Sequence, residues 1–332
     1  MDTWTLVVVV AAALFFTCTN GFRDASITVA TSVSTRSLTP GIALLMAALM
    51  NFAGAFLGTG IARTVGERLV DPPDGLPGLL ILLAALAGAM AWHVITWYVR
   101  LPAASTHALL GALAGAVVAG AGVVHWDALL TLVVLPLLAA PVAALLLAYL
   151  TMVGLLWAFR RANPHRAQRG FRIAQTVSAA GLSLGHGLQD AQKTMGVVVL
   201  ALVVAGTEEQ GASVPLWVRI ACATALAAGT WAGGGRLVRT LGRRVIQLDP
   251  PRGHCAETAA SAVLYTSSYL FQAPVSTTHV ITSANMGVVA TRRLSAVRWA
   301  VARSYVMSWL VTLPAAAAVA AVFSWLLRAV FV

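Results

Sequence analysis

Two short stretches place ionisable residues inside runs otherwise fit for lipid. One is NGFRDASIT, Asn20–Thr28, between VVVVAAALFFTCT and VATSVSTRSLTP; the other is HGLQDAQKT, His186–Thr194. Gly, Asp, Ala and Thr stand in the same four places of each. Ionisable groups at membrane depth are costly, and they line a pathway or pair with one another. Asp24 and Asp190 are acceptors that can hold a coupling cation or take a hydrogen bond from a protonated oxyanion. Arg23, Gln189 and Lys193 supply donors beside them. Asp190 and Lys193, three apart, share a helix face. The adjacent glycines, Gly21 and Gly187, permit an unwound backbone, which exposes carbonyls and helix ends. The plainer alternative makes Arg23–Asp24 and Asp190–Lys193 packing ion pairs.

A second pair of motifs has the chemistry of an anion cradle. PAASTH ends in Ser105, Thr106 and His107, and PVSTTH in Ser276, Thr277, Thr278 and His279. A proline-led turn into Ser and Thr at a helix start offers free backbone N–H groups and hydroxyl donors to a tetrahedral oxyanion. Ordinary helix capping by Ser and Thr is the competing reading. His107 and His279 either touch substrate or orient the loop by a hydrogen bond. Both motif pairs recur at nearly one spacing, Asp24 to Asp190 and Thr106 to Thr278, and a double match of that kind marks an internal repeat.

The elements that must position these residues are membrane spans. The chain is 59% hydrophobic and 10% charged, with a mean hydropathy of +0.84; soluble domains carry roughly 25% charged residues. Apolar runs of spanning length recur from end to end. Ten membrane elements are expected, near 4–35, 41–62, 79–99, 101–122 and 128–157, then 173–205, 216–238, 255–272, 274–290 and 299–327. Those from 101 and 274 are short and polar enough to be re-entrant hairpins. Asp2 stands where a signal peptide needs a positive flank, so the first segment is expected to stay. Cys18, Cys222 and Cys255 have no motif spacing and point to neither a disulfide framework nor a metal site.

The net charge of +11 reports loop topology rather than nucleic-acid binding. FRRANPHRAQRGFR, GRLVRTLGRRVIQLDPPR and TRRLSAVR are rich in arginine, whereas TEEQGASVPLW has two glutamates and no base. Basic loops go to the cytoplasm, so Arg161, Arg244 and Arg292 are expected inside and Glu208 outside. Five elements per half makes the halves enter the membrane from opposite sides, the signature of an inverted-repeat transporter. The expected division is a repeat at 1–157, a basic cytoplasmic linker at 158–172 and a repeat at 173–332, all α-helical with broken helices.

These motifs, in this order, resemble the PiT family of inorganic phosphate transporters. The resemblance rests on NGFRDASITVATSVSTRSLTP, HGLQDAQKTMGVVVLAL, PAASTH and PVSTTH, and covers nearly the whole chain. It implies two inverted repeats, alternating access, and symport of phosphate, free or as a metal complex, with Na⁺ or H⁺ across the plasma membrane. It also implies a homodimer and no cofactor beyond the coupling cation. Asn20, Gly21 and Asp24 match the first-repeat signature, and Asp190, Gln192 and Lys193 match the bacterial second-repeat form. The implied substrate site comprises Ser105, Thr106, Ser276, Thr277, Thr278, Asp24, Asp190, Gln189, Lys193 and Arg23. The coupling-ion ligands are Asp24, Asp190 and Asn20, with His107, His279 and Gln192 in support. The chain departs from the pattern at Ile27, where the family has Asn, and at Arg23, often His.

Ile27 cannot ligate an ion, which tips the expected coupling from Na⁺ towards H⁺. A sulfate transporter is the first rival. Phosphate near neutral pH still carries a proton and needs an acceptor, which Asp24 and Asp190 supply; sulfate needs donors only. A channel is the second rival, separable by its failure to accumulate substrate uphill. An enzyme is disfavoured: no nucleotide loop, metal cluster or nucleophile–base motif occurs, and His165 and His254 read as solvated loop residues.

Overall fold

The computed structural model describes residues 2–99, 101, 103–244, 248–297 and 299–331, without the side chains of 2, 25–27, 164–166, 234–244, 296 and 301. Nearly all of it is helix. The first half comprises α1 (Asp2–Ser34), α2 (Pro40–Gly54), α3 (Gly60–Arg63, continued by a π-turn at Thr64–Arg68), α4 (Leu76–Tyr98), α5 (Ser105–Ala119) and α6 (Trp126–Ala128), which runs through a π-turn at Leu129–Val134 into α7 (Leu135–Ala158). The second comprises α8 (Pro164–Val204), α9 (Leu216–Arg244), α10 (Pro250–Tyr269), α11 (Thr277–Ala290) and α12 (Trp299–Phe331). Two short strands, β1 (Val70–Asp71) and β2 (Val123–Val124), pair antiparallel and tie two loops together, with His125 Nε2 2.7 Å from Asp71 Oδ2.

Five described helices are long and apolar enough to cross a membrane: α1, α4, α6 with α7, α8 and α12. The remaining expected elements are short or polar for a reason. The helices α5 and α11 have 15 and 14 residues, about 22 Å at 1.5 Å per residue against a hydrocarbon core of about 30 Å. Each is the returning arm of a hairpin, α4–α5 and α10–α11. Neither crosses, and both begin deep in the bundle, with Thr106 and Thr277 buried. They then run to opposite ends. The end of α5 lies by Arg328, whose Nη1 donates to Ala119 O at 3.4 Å. The end of α11 lies by Arg292, 3.7 Å from Asp249.

The long helix α8 forms the axis. Its 41 residues extend about 60 Å, with Arg169 and Arg172 exposed and Leu182–Leu202 almost wholly buried. The segment expected as a linker is thus helical from Pro164. Packing partners are exchanged between the halves: α1 lies on α9 and α2 on α8, while α5 lies on α12 and α11 on α7. Lipid-facing apolar surface is left on α7 and α12.

The two ends differ in charge. Arg36, Arg160, Arg161, Arg169, Arg172, Arg252 and Arg292 gather at one, with Asp249 among them, and Glu67, Asp71, Asp74, Glu208 and Glu209 at the other, beside Arg68 and Arg328. Basic loops are retained in the cytoplasm, which gives a labelling prediction. In a background lacking Cys18, Cys222 and Cys255, a single cysteine at 208 is expected to react with a membrane-impermeant maleimide in intact cells, and cysteines at 161 and 292 are expected to be spared. The reverse pattern would mean the opposite orientation.

Candidate functional site

On α8, His186, Gln189, Asp190 and Lys193 fall at successive turns of one face; on α1, Asn20, Arg23 and Asp24 do the same. The two faces meet where α5 and α11 begin. Asp190 is the hub. Its Oδ1 lies 2.5 Å from Lys193 Nζ, its Oδ2 lies 2.8 Å from His186 Nε2, and Thr277 Oγ1 donates to Oδ2 at 3.3 Å. Lys193 Nζ also donates to Thr106 Oγ1 and to Val275 O, each at 2.7 Å. Asp24 is held more loosely. Thr278 Oγ1 donates to its Oδ1 at 3.5 Å, and His186 Nε2 stands 3.9 Å from its Oδ2. That Oδ2 is buried without a hydrogen-bond partner among the described residues, as is Asn20 Oδ1. Asp24, His186 and Asp190 each place one atom within 4.8 Å of the others, a set able to hold a cation.

Several expected ligands have other duties. Ser276 caps α11, its Oγ accepting from His279 N at 3.3 Å; at this residue the capping reading is the one observed. Ala104 occupies the cap of α5 with no side-chain bond, so Ser105 and Thr106 are not capping hydroxyls. Gln189 pins the second hairpin, donating to Ser268 Oγ at 2.9 Å and accepting from Val275 N at 3.1 Å. Arg23 Nη2 donates to Ala103 O at 3.3 Å in the first hairpin. Gln192 Oε1 accepts from Ile61 N at 3.0 Å, holding the break between α2 and α3. The rings of His107 and His279 lie 4.7 Å apart, and His279 lies 4.0 Å from Trp309. Both nitrogens of His279 and Nδ1 of His107 lack hydrogen-bond partners among the described residues, so these atoms do not orient the loops.

The unwinding expected at Gly21 and Gly187 does not occur; α1 and α8 run unbroken through both aspartates. The glycines serve close approach instead. A Cβ on Gly21 would stand 2.4 Å from Leu226 O of α9, and one on Gly187 would stand 2.2 Å from Asn51 O of α2. Small residues let membrane helices pack backbone to backbone. The chain breaks elsewhere, at 55–59 between α2 and α3. The side chain of Ile27 lies outside the described residues, as does that of His165. His254 is on α10, not in a loop, with its ring 6.0 Å from Phe171.

Site side chains are closed off from solvent: Asp24 is 7% exposed, Lys193 3% and His279 0%. Two cavities, of about 560 and 410 Å³, lie at the base-rich end near Phe159 and between α7 and α10; no site residue lines either. Two oppositely directed helix starts thus lie over one buried cluster.

Residues 20–320 match the profile described as the phosphate transporter family. The chain belongs to that family. Among members of the phosphate transporter family, a "probable low-affinity inorganic phosphate transporter" of Bacillus subtilis is 37% identical, over 98% of each chain. One with the same description from Rhizobium meliloti is 43% identical, over 95% of this chain and 94% of its own. A solved structure titled "The sodium-dependent phosphate transporter" superposes with a TM-score of 0.89, covering 98% of this chain and all of that one, at 22% identity. That likeness establishes a shared fold. As a family member the chain is a multi-pass transporter of the plasma membrane and not an enzyme.

Sequence reasoning passed over His186, which lies between the two carboxylates with its Nδ1 3.1 Å from Asn51 Oδ1. Its signal was present: it begins HGLQDAQKT, at the place of Asn20 in the other repeat and four residues before Asp190. Glu257 was also missed. It is 1% exposed in α10 and accepts from Ser32, Gln175 and Ser178 at 3.3, 3.4 and 2.7 Å. No motif marks it; only the packing of α1, α8 and α10 gathers its partners.

Proposed function

We propose that the chain imports inorganic phosphate by symport with H⁺, through alternating access of two inverted repeats, 1–157 and 173–332. One observation carries this reading: the N-termini of α5 and α11, running to opposite ends, converge on the buried Asp24–His186–Asp190–Lys193 cluster. Opposed half-helix starts aim N–H groups and positive dipole ends at an anion near the midplane. Thr106, Thr277 and Thr278 add hydroxyls. The exchanged packing of the halves supports the inverted repeat.

Phosphate fits better than sulfate because the site keeps an acceptor. Asp24 Oδ2 is buried and without a hydrogen-bond partner among the described residues, so a phosphate hydroxyl donates to it at no cost to another bond. Sulfate brings no proton to donate and would leave that buried oxygen without a partner. H⁺ coupling follows from the same atom and from Ile27. A proton needs one basic group, which Asp24 supplies beside His186, whereas Na⁺ needs several oxygens and Ile27 contributes none.

The test is radiolabelled phosphate uptake into proteoliposomes, with proton and Na⁺ gradients imposed separately and sulfate as competitor. Uptake is expected to rise above equilibrium with the proton gradient, collapse with a protonophore, and ignore both K⁺-for-Na⁺ exchange and sulfate. Ile27→Asn is expected to introduce Na⁺ dependence. Uptake that requires Na⁺ and ignores the protonophore overturns the coupling; equal transport of sulfate overturns the anion assignment.

A further inference from the structure

We infer that the Lys193 ammonium is a tethered occupant of an alkali-cation cage, so that this transporter carries one of its cations covalently. The inference rests on the symport reading above. Nζ is surrounded by three oxygens of different kinds: the Asp190 carboxylate at 2.5 Å, the Thr106 hydroxyl at 2.7 Å and the Val275 backbone carbonyl at 2.7 Å. They come from α8, from the start of α5 and from the extended stretch before α11. An ammonium has three donors and no acceptor, and these three acceptors use all of them. Lys193 is 3% exposed.

The same set suits a hard cation, which takes carboxylate, hydroxyl and carbonyl oxygens. Carbonyls of non-helical backbone beside half-helices are the usual alkali-ion ligands in inverted-repeat transporters. The Val275 carbonyl is available because α11 starts only at Thr277, and Gln189 fixes that stretch by accepting the Val275 N–H. The cage also bridges the two hairpins, since Thr106 belongs to the first and Val275 to the second. A diffusible cation there would join and release the halves with each cycle; Lys193 joins them without one. Asp190, claimed by Lys193 and His186, is thereby withdrawn from binding a free cation, and Asp24 is left to carry the coupled charge. At the matched place in the other repeat stands Ile27, which brings no charge.

Removing the amine should open the cage to Na⁺. Thermal unfolding of the purified full-length protein in detergent, without phosphate, compares NaCl with choline chloride at equal ionic strength. The wild type and Lys193→Arg are expected to unfold at the same temperature in both salts. Lys193→Ala and Lys193→Met are expected to gain a saturable, Na⁺-specific rise of about 2 °C or more. Isolation of a folded variant only when Na⁺ is present throughout supports the inference equally. In proteoliposomes, any uptake that the two neutral variants retain should become about 10-fold faster with Na⁺, one tenfold step in cation binding. A Na⁺-specific shift in the wild type overturns the inference, as does indifference of both neutral variants to Na⁺ or their failure to fold in either salt. Because the unfolding assay contains no phosphate, its outcome is independent of whether phosphate is the anion carried; absence of phosphate uptake by the wild type strikes the other reading alone.

Discussion

Replacing Asp24 by Asn is expected to reduce phosphate uptake about 100-fold, equivalent to about 3 kcal/mol, and to leave the protein folded in the membrane. Among the described residues the carboxylate has only loose contacts, 3.5 Å to Thr278 and 3.9 Å to His186, so little of the described packing depends on its charge. Its buried Oδ2 is the acceptor assigned to the phosphate hydroxyl or to the coupled proton; an amide takes up no proton, and it keeps one acceptor oxygen while turning the other position into a donor. Asp190→Asn is expected to behave differently. It strips the carboxylate from Lys193 and His186 at once, leaving a buried ammonium uncompensated, which costs about 3–5 kcal/mol of stability. Adding Lys193→Met to Asp190→Asn should return most of that stability without returning transport. Thermal unfolding and uptake measured side by side on the two single variants and the double variant separate the roles. Full uptake by Asp24→Asn would reduce that residue to a packing group, and equal stability of both single variants would contradict the tight Asp190–Lys193 pair.

Gly187→Ala should be strongly damaging, although it adds a single methyl group and Gly187 carries no side chain to the site. Its Cβ would meet Asn51 O at 2.2 Å and Asn51 Cα at 2.6 Å. Both atoms belong to the backbone of α2 and have no rotamer to retreat into. Over-packing of this kind costs about 1–3 kcal/mol, occasionally more. Separating α2 from α8 also pulls Asn51 from His186 and from Thr230, to which it donates at 2.8 Å, so uptake should fall with stability. Gly154→Ala is the control. No atom lies within 4 Å of its added Cβ, and alanine in a helix interior gains about 0.5–1 kcal/mol over glycine. A Gly187→Ala protein as stable as Gly154→Ala would mean that the α2–α8 contact is looser than described.

Much of this protein is written in local sequence. Mean hydropathy and span length assigned it to the membrane. The paired motifs named Asp24, Asp190, Lys193, Thr106, Thr277 and Thr278, which the fold does bring together. The small length and polarity of the elements beginning near 101 and 274 set them apart from full spans, but each is one helix rather than a hairpin in itself, and only the fold pairs it with the helix before it. Such features are legible because helix formation and partition into lipid depend on residues within a few turns of one another. Distant partners are not. The glycines beside the aspartates read equally well as hinges or as contact points, and only the approach of α9 and α2 decided for contact. Ser276, Gln189 and Gln192 read as donors or supports of the site, and their oxygens also accept backbone N–H groups at a cap, a hairpin and a helix break, the last two from segments far away in the chain. Glu257 has no motif, because Ser32, Gln175 and Ser178 reach it from two other helices. The helix α8 is modestly hydropathic for a span because protein rather than lipid surrounds it, and that follows from the packing of the whole bundle. Composition reports what a segment can dissolve in; which polar atoms lie within 3 Å of each other is fixed by packing between segments far apart in the chain.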